Sequence, residues 1–226
     1  SLWRQEKKVA YLAISKSGNT LEVLGIIDWL LSTEVSEKDF FAILTPGKGK
    51  LAELADRSNW PSLTIPEDVG GRFSVFTAVG MVPFAFLGLD LKAITSSIKN
   101  SQSWAQDLRN AVYYFSQQNY QWLAQSPALI WFCYSDPLLS LGDWFAQLWA
   151  ESLGKGGQGQ LPLTARGASD QHSLLQLFND GPDIFHFHFL SLKGNAANYP
   201  VGTEVERLKG QTVGGIQNLQ LEGTRR

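Results

Sequence analysis

Short, almost continuous apolar runs alternate with amphipathic segments in this chain, and this alternation restricts the fold more than any other feature. "KVAYLAI" (8–14) and "FFAILT" (40–45) are runs of this kind, typical of strands that are buried on both faces of a parallel sheet. "TLEVLGIIDWLLS" (20–32) and "GKLAELADRS" (49–58) follow them as predicted helices. A short strand at "SLTIP" (62–66) completes the pattern, which predicts a doubly wound α/β unit.

The same order returns in the second half of the chain. "ALIWFCY" (128–134) repeats the buried-strand pattern, and "LSLGDWFAQLWAESLGK" (139–155) repeats the helix after it. "DIFHFHFL" (183–190) predicts another strand, and "VERLKGQTVGGIQNLQLEG" (205–223) another helix. The repetition predicts a three-layer α/β/α fold with mainly parallel sheets and two α/β units.

A helical connector separates the two patterns, since the periodicity is helical from Arg72 to about Leu123. We place the first unit at residues 1–100, and the second, with the connector, at residues 101–226. The uncharged segment from Phe73 to Leu89 is at the lower edge of membrane-spanning length and contains a proline. We therefore predict a buried segment of a globular domain there, and no membrane partner.

Charge and cysteine content exclude two further classes of protein. The net charge is −2, from 19 basic and 21 acidic residues, with no long basic run, so we expect no nucleic-acid partner. A single cysteine, Cys133, excludes an internal disulfide framework and fits a reducing, cytoplasmic compartment. Its neighbours Trp131 and Phe132 predict a buried thiol. Because "LQLEGTRR" stops within a helical pattern, we expect the chain to be an excerpt of a longer protein.

The stretch "ISKSGNT" (14–20) places hydroxyl side chains at Ser15, Ser17 and Thr20 where the first strand turns into a helix. Gly18 allows tight backbone geometry in that turn. A helix N-terminus has unsatisfied N–H groups and the positive end of the helix dipole, so such a turn suits a phosphate. Simple N-capping by a serine or threonine is the alternative interpretation, and the residues alone leave both open.

An arginine and a glutamate are candidates for chemistry, each with a structural alternative. Arg72 follows two glycines at the rim of an apolar element, where it suits either an oxyanion or an ion pair with Glu67 or Asp68. Spacing alone favours the ion pair. Gln147 and Glu151 are four residues apart on one helix face, so Glu151 is either a general base or a solvated carboxylate.

The three histidines also allow more than one interpretation. His172 precedes an apolar helical pattern and is either an acid–base group or a capping or core histidine. His186 and His188 share one face of a predicted strand. Because no third ligand follows at a suggestive spacing, we predict no metal site, and we expect no cofactor.

Taken in order, four segments resemble the signature blocks of the glucose-6-phosphate isomerase family in its bacterial form. They are "ISKSGNT", "DVGGRFSVFTAVGMVPFA" (68–85), "DWFAQLWAESLGKGGQG" (143–159) and "GASDQHSLLQLFNDGP" (167–182). The first alone would indicate only a sugar-isomerase (SIS) domain, whereas the second and third are highly specific. The family has two SIS domains, which agrees with the two units predicted above.

The resemblance implies roles for individual residues in a sugar-phosphate site. The side chains of Ser15, Ser17 and Thr20 and the backbone at Lys16 would hold the phosphate. The other implied substrate-binding residues are Gly71 and Gln147.

The resemblance also implies the catalytic residues of an aldose–ketose isomerase acting between glucose 6-phosphate and fructose 6-phosphate. Arg72 would stabilise the enediolate, and Glu151 would move the proton between C2 and C1. His172 would assist ring opening from the neighbouring subunit, so a homodimer is expected.

The chain departs from the family pattern in three respects. The family's "GIGGS" phosphate loop before "ISKSGNT" and its lysine-bearing block after "EGTRR" are absent. Asn19 replaces the usual threonine, for which we expect a small effect. Two alternatives to an isomerase therefore stay open: a non-catalytic module that senses a sugar phosphate, and a fragment that needs further segments.

Overall fold

The computed structural model describes residues 9–123, 125–192, 199–202 and 204–224, with the backbone alone over residues 102–111. It divides into two compact units, Ser1–Trp104 and Ala105–Arg226. Within the described residues, each unit contains a three-stranded sheet whose strands all run parallel. The fold is therefore of the α/β class that the alternating pattern predicts.

The first unit follows the predicted order of strands and helices closely. Its elements are β1 (Tyr11–Ser15), α1 (Leu21–Leu31), β2 (Phe40–Leu44), α2 (Gly49–Arg57) and β3 (Ser62–Thr64). The strand order is β1-β2-β3, with Ser15 beside Leu44 and Leu44 beside Thr64. Because the strands are parallel and end in register, the chain segments that follow them all leave from one edge of the sheet.

Alternate residues of these strands form the core of the first unit under α1 and α2. Ala13, Phe40 and Ala42 are buried on one sheet face together with Ile27 of α1 and Leu51 of α2. The Phe40 ring stacks on Tyr11 at 5.2 Å and on Trp60 at 4.6 Å between ring centroids. The apolar side chains thus fix the two helices over one face of the sheet.

The connector begins with a 3-10 helix at Gly71–Phe76, continues as α3 (Ala78–Phe86) and then forms the long α4 (Leu91–Trp122). The prediction that this uncharged segment is buried is wrong: Phe86 is 88% exposed, and no residue of α3 is buried. The physical reason is that α3 does not pack closely on the sheet. A cavity of about 460 Å³ lies between α3 and the face of β1 and β2 that carries Leu12 and Phe41. No helix in the described part of the chain is long and apolar enough to cross a membrane.

The described residues of the second unit form a sheet of order β5-β4-β6 and the helices that pack on it. These strands and helices are β4 (Ala128–Cys133), α5 (Leu139–Leu153), β5 (Leu161–Arg166), α6 (Gln171–Asp180), β6 (Phe185–Leu190) and α7 (Val213–Thr224). Phe178 of α6 and Leu221 of α7 pack on one sheet face with the β6 phenylalanines. On the other face, Phe145 of α5 stacks on Trp131 at 3.7 Å, so helices cover both faces of this sheet.

Two elements of the second unit differ from the prediction. Strand β5 was not predicted, since "LPLTAR" contains a proline and lies at the edge of the sheet, where the apolar pattern is weak. The last helix begins at Val213 instead of residue 205. The preceding residues form a 3-10 turn at Glu206–Leu208 and then Gly210, whose φ of +77° interrupts a helix.

The single cysteine is buried at the end of β4, as predicted. Burial, together with the carboxylate of Asp143, raises the pKa of the Cys133 thiol to about 11. At neutral pH the thiol is therefore protonated and packs as a small apolar side chain.

Candidate functional site

The turn after β1 is organised around a buried hydroxyl group. Ser15 is 5% exposed, and its Oγ lies 2.8 Å from Oγ1 of Thr20. The same oxygen accepts a hydrogen bond from the backbone N–H of Gly18 at 3.1 Å. Oγ of Ser17 accepts from the N–H of Asn19 at 3.2 Å. These bonds curl residues 15–20 into a compact loop, with the Ser17 and Thr20 side chains at the surface.

The structure does not support simple side-chain capping of α1. Thr20 occupies the N-cap position, but its side chain makes no capping hydrogen bond, because the hydroxyl is engaged with Ser15. The first-turn amides and the positive end of the α1 dipole are therefore left beside the surface hydroxyls. This arrangement has the donors that an anion needs.

The start of α2 packs directly against this turn. Gly18 and Gly49 have positive φ values of +69° and +77°, and a Cβ on either residue would collide with the backbone of the other segment. The Leu51 N–H donates to the Gly18 carbonyl at 2.9 Å, and the Lys50 N–H donates to Oδ1 of Asn19 at 3.0 Å. The turn thus occupies N-terminal amides of α2, whereas the N-cap side chain of α1 makes no such bond within the described residues.

The loop after β3 is joined to the same turn through Lys16. The Lys16 ammonium donates to the carbonyl oxygens of Glu67 at 2.8 Å and Val69 at 2.5 Å. Gly71 and Arg72 follow at the start of the 3-10 helix. The Arg72 guanidinium lies 5.0 Å from the centre of the Phe73 ring, within the range of a cation–π contact. The residues predicted for the first unit therefore belong to connected segments at one sheet edge.

Gln147 and Glu151 meet in the second unit, as their spacing on one helix face predicts. Nε2 of Gln147 donates to Oε1 of Glu151 at 2.9 Å, close to the end of α5. Glu151 is exposed. The chain then turns through a glycine-rich loop, and Nε2 of Gln160 donates to the Ser126 carbonyl at 2.7 Å. The carboxylate thus projects from a helix end whose following loop is anchored to the sheet.

His172 lies in the first turn of α6 and is exposed, so it is not a core histidine. Asp170 occupies the N-cap position of α6, and its Oδ2 accepts from the Arg166 N–H at 2.7 Å. The capping position is therefore taken by an aspartate, and the imidazole of His172 is left at the surface.

Glu151 and His172 lie at opposite ends of the strands of the second sheet, Glu151 toward the amino ends and His172 at the carboxyl ends. α5 starts at the carboxyl end of β4 and runs back toward the amino end of β5. At about 1.5 Å of rise per residue, Glu151 lies roughly 18 Å along the helix from Leu139. His172 lies in the first turn of α6, which follows the carboxyl end of β5 after four residues. One copy of this unit therefore does not bring the two side chains together.

His186 and His188 share a face of β6, as predicted, and both are half-buried. Nε2 of His188 lies 2.9 Å from Oδ1 of Asn119 in α4, and Trp122 stacks on His186. Burial, together with the neighbouring His186, lowers the pKa of His188 to about 4, and burial lowers the pKa of His186 as well. Within the described residues, no group of three or more histidine, cysteine or acidic side chains is arranged to hold a metal ion.

A side-chain cluster next to His172 is not evident from the sequence. Nε2 of Gln171 donates to Oη of Tyr134 at 2.7 Å, to the Gln220 carbonyl at 3.3 Å, and to Oγ1 of Thr224. Tyr134 and Thr224 are also joined, at 2.8 Å between their hydroxyl oxygens. The three side chains are far apart in sequence, and no local spacing signals their contact. In the sequence, Asn19 stands out only as a departure from the family pattern. In the structure, its Oδ1 accepts a hydrogen bond from the Lys50 N–H in the first turn of α2.

Comparison with known proteins gives one consistent result. No protein-family model matches the chain. A probable glucose-6-phosphate isomerase from Haloarcula marismortui is 36% identical over 228 residues, covering 93% of this chain and 51% of that protein. The glucose-6-phosphate isomerase of Rubrobacter xylanophilus is 32% identical, covering 94% of this chain and 53% of that protein. The chain thus spans about half the length of these curated relatives.

Two solved structures share the fold over 99% of this chain. A hypothetical protein from Thermus thermophilus superposes with a TM-score of 0.80 at 29% identity, over 58% of that protein. A glucose-6-phosphate isomerase from Chlamydia trachomatis superposes with a TM-score of 0.73 at 19% identity, over 46% of that protein. The second likeness shows the fold alone, whereas the curated sequences confirm the resemblance to the isomerase family.

Proposed function

We propose that this chain, which resembles glucose-6-phosphate isomerases over about half of their length, contains the catalytic core of such an isomerase. Its natural protein interconverts glucose 6-phosphate and fructose 6-phosphate through an enediol intermediate, a step of glycolysis and gluconeogenesis. The two α/β units are SIS-type units, and the protein acts in the cytoplasm without a cofactor. The turn at residues 15–20, with its hydroxyls beside an uncapped helix N-terminus, is the observation that carries the proposal.

The phosphate is assigned to this turn and is not transformed. Ser17 and Thr20 present surface hydroxyls, the Lys16 backbone contributes to the same loop, and the dipole of α1 adds positive potential. A dianionic phosphate held here fixes the sugar, so that its binding energy orients the reacting carbons. The buried Ser15 hydroxyl supports the loop from beneath through Thr20 and Gly18.

Proton transfer is assigned to Glu151. Its carboxylate removes the proton from C2 of the open-chain aldose and returns it to C1, so one base on one face of the enediol completes the isomerisation. Gln147 donates to one carboxylate oxygen and holds the other toward the substrate. Arg72, charged at every working pH, stabilises the oxyanion of the intermediate. Gly71 brings the backbone close to the same part of the sugar.

The variant Glu151→Gln tests the assignment of the base in the natural full-length protein. Glutamine can still accept the bond from Gln147 but cannot take a proton, so kcat should fall by about 10²- to 10⁴-fold. Binding of fructose 6-phosphate should be largely unchanged. Glu206→Gln, which alters an exposed glutamate paired with Lys209, is the matched control and should retain full activity. A wild-type rate for Glu151→Gln would remove Glu151 from the mechanism.

A sensing module would give a different result in the same assay. It would bind fructose 6-phosphate at the turn but would not exchange the C2 proton. Isomerisation in D₂O, followed by proton NMR of the sugar, separates the two functions: an isomerase incorporates deuterium at C1 or C2, whereas a sensor leaves both unlabelled.

Ring opening is assigned to His172 of a second copy, so the active protein is a homodimer. Glu151 and His172 lie at opposite ends of the strands of one sheet, which supports this assignment. A site that uses both groups then needs two chains. Mixing Glu151→Gln with His172→Asn tests it. If subunits exchange, hybrid dimers hold one intact site, and about a quarter of the wild-type activity should return. No recovery after confirmed exchange would mean that each site is built from one chain.

A further inference from the structure

Lys16 lies in the turn at residues 15–20, to which the phosphate is assigned above and which is called the phosphate turn below. Its side chain, however, contacts the loop that follows β3. Its ammonium donates to the carbonyl oxygens of Glu67 and Val69, at 2.8 and 2.5 Å. A lysine ammonium has three donors, and these two bonds fix it on the loop that follows β3. Lys16 is half-buried, which restricts the side chain to this contact more than a surface lysine would be.

The loop that Lys16 holds leads directly to Arg72. Val69 is followed by Gly70 and Gly71, and the 3-10 helix begins at Gly71. Beyond that point the backbone is fixed by its own bonds: Phe73 N–H donates to the Gly70 carbonyl at 2.9 Å, and Ser74 Oγ donates to the Gly71 carbonyl at 2.6 Å.

The two glycines belong to the same bonded segment, because the Gly70 and Gly71 carbonyls accept the bonds from Phe73 and Ser74. A displacement of the loop at Val69 is therefore passed along this short segment to Arg72. Without the bonds at Glu67 and Val69, nothing else described between Thr64 and Gly70 ties this loop to the phosphate turn. The position of Arg72 relative to the turn thus depends in part on the Lys16 side chain.

We propose that the Lys16 ammonium is a positioning group that couples the phosphate turn to Arg72, and not a ligand of the phosphate. The proposal rests on the function proposed above. The backbone of Lys16 faces the phosphate, while its side chain sets the distance from the phosphate to the oxyanion partner. A ligand role would require the ammonium to leave both carbonyl oxygens.

The variant Lys16→Met tests this in the natural full-length protein, because methionine keeps most of the apolar stem and removes the donors. The kcat for fructose 6-phosphate should fall by about tenfold to a hundredfold, as expected for a misplaced catalytic group, while KM changes little. Backbone amides at residues 67–73 should exchange hydrogen faster. Lys38→Met, at an exposed lysine before β2, removes the same charge and should change neither quantity.

The outcomes separate this proposal from the function on which it rests. A rise in KM with an unchanged kcat and unchanged amide exchange would show that the ammonium binds phosphate, and would overturn the proposal. If the wild-type protein does not isomerise fructose 6-phosphate, the proposed function fails. The amide exchange of Lys16→Met then still decides whether the side chain holds residues 67–73.

Discussion

The carboxyl edges of the two sheets are fastened by different means. In the first unit, the turn after β1 meets α2 backbone to backbone: Gly18 and Gly49 touch, and Leu51 N–H bonds to the Gly18 carbonyl. The side chains of Lys16 and Asn19 add bonds to backbone groups of the neighbouring segments. In the second unit, the fastening is made by side chains, with Gln171 bonded to Tyr134 and to α7. The backbone contact leaves the Ser17 and Thr20 side chains at the surface, whereas the side-chain cluster uses polar groups for structure.

The difference shows what each unit offers to a ligand. The first edge leaves the Ser17 and Thr20 hydroxyls and the α1 amides at the surface. The second edge exposes His172 beside the anchored Gln171, and its Glu151 lies at the other end of the sheet. The first unit therefore offers a group of donors suited to an anion, and the second presents single side chains for chemistry at two separate places.

The largest expected effect comes from breaking the backbone contact in the first unit. Gly18→Ala would put a Cβ into the Lys48 carbonyl at a φ of +69°. We expect the free energy of unfolding to fall by about 3 kcal/mol or more, from backbone strain and steric collision. Urea unfolding followed by circular dichroism measures it.

Gly25→Ala is the matched control for this change. Gly25 lies inside α1, where an added Cβ would meet no atom within 4 Å, so alanine should stabilise the helix by about 0.5–1 kcal/mol. Equal effects of the two substitutions would mean that the contact between the turn and α2 contributes nothing.

The side-chain cluster of the second unit should be the next most sensitive. Gln171→Ala removes the donor shared among Tyr134, the Gln220 carbonyl and Thr224. Loss of part-buried hydrogen bonds should lower the free energy of unfolding by about 1–3 kcal/mol. Gln176→Ala, at an exposed residue bonded to Asp180, should cost less than half as much. A smaller loss at Gln171 than at Gln176 would contradict the role of the cluster.

A pH effect is expected in the second unit through its half-buried histidines. Burial lowers the pKa of His188 from 6.5 to about 4, so the unfolded chain binds a proton that the folded chain does not. Its contribution to stability is therefore full above about pH 6.5 and is lost as the pH falls toward 4. The variant His188→Gln keeps a donor for Asn119 and should show a flatter stability profile between pH 4 and 6.5. An unchanged profile would exclude His188 as a source of acid sensitivity.

The smallest effect is expected at the surface ion pairs, which both units contain. Lys50 and Glu53 lie 2.7 Å apart, with side chains 68% and 67% exposed. A double-mutant cycle should give a coupling of about 0.5 kcal/mol or less, because solvent screens the pair. A coupling above about 1 kcal/mol would show that this surface contact matters as much as the buried polar cluster.

The sequence pattern predicted the elements of the first unit more fully than those of the second. Buried parallel strands such as β2 and β4 are continuously apolar and were predicted, whereas the edge strand β5, with Pro162, was not. The segment at residues 73–89 was predicted to be buried because it is apolar, but burial depends on partners, and α3 stands off the sheet. Composition cannot supply that information.

The candidate site was predictable where its residues are close in sequence. The turn at residues 15–20 and the pair Gln147 and Glu151 depend on local spacing, and both arrangements are present in the structure. The contacts of Lys16 with Val69 and of Gln171 with Thr224 join distant segments. Local spacing carries no signal for such contacts, so they required the fold.

The central claim is that the uncapped α1 N-terminus and its hydroxyl turn hold the phosphate of a sugar. Amide NMR of the chain during titration with glucose 6-phosphate, with glucose as the control sugar, tests it most directly. Glucose 6-phosphate should shift the amides of residues 15–24 most, glucose should leave them unchanged, and Ser17→Ala should weaken the response. Shifts concentrated at the α2 N-terminus or in the second unit, or equal shifts with glucose, would contradict the claim.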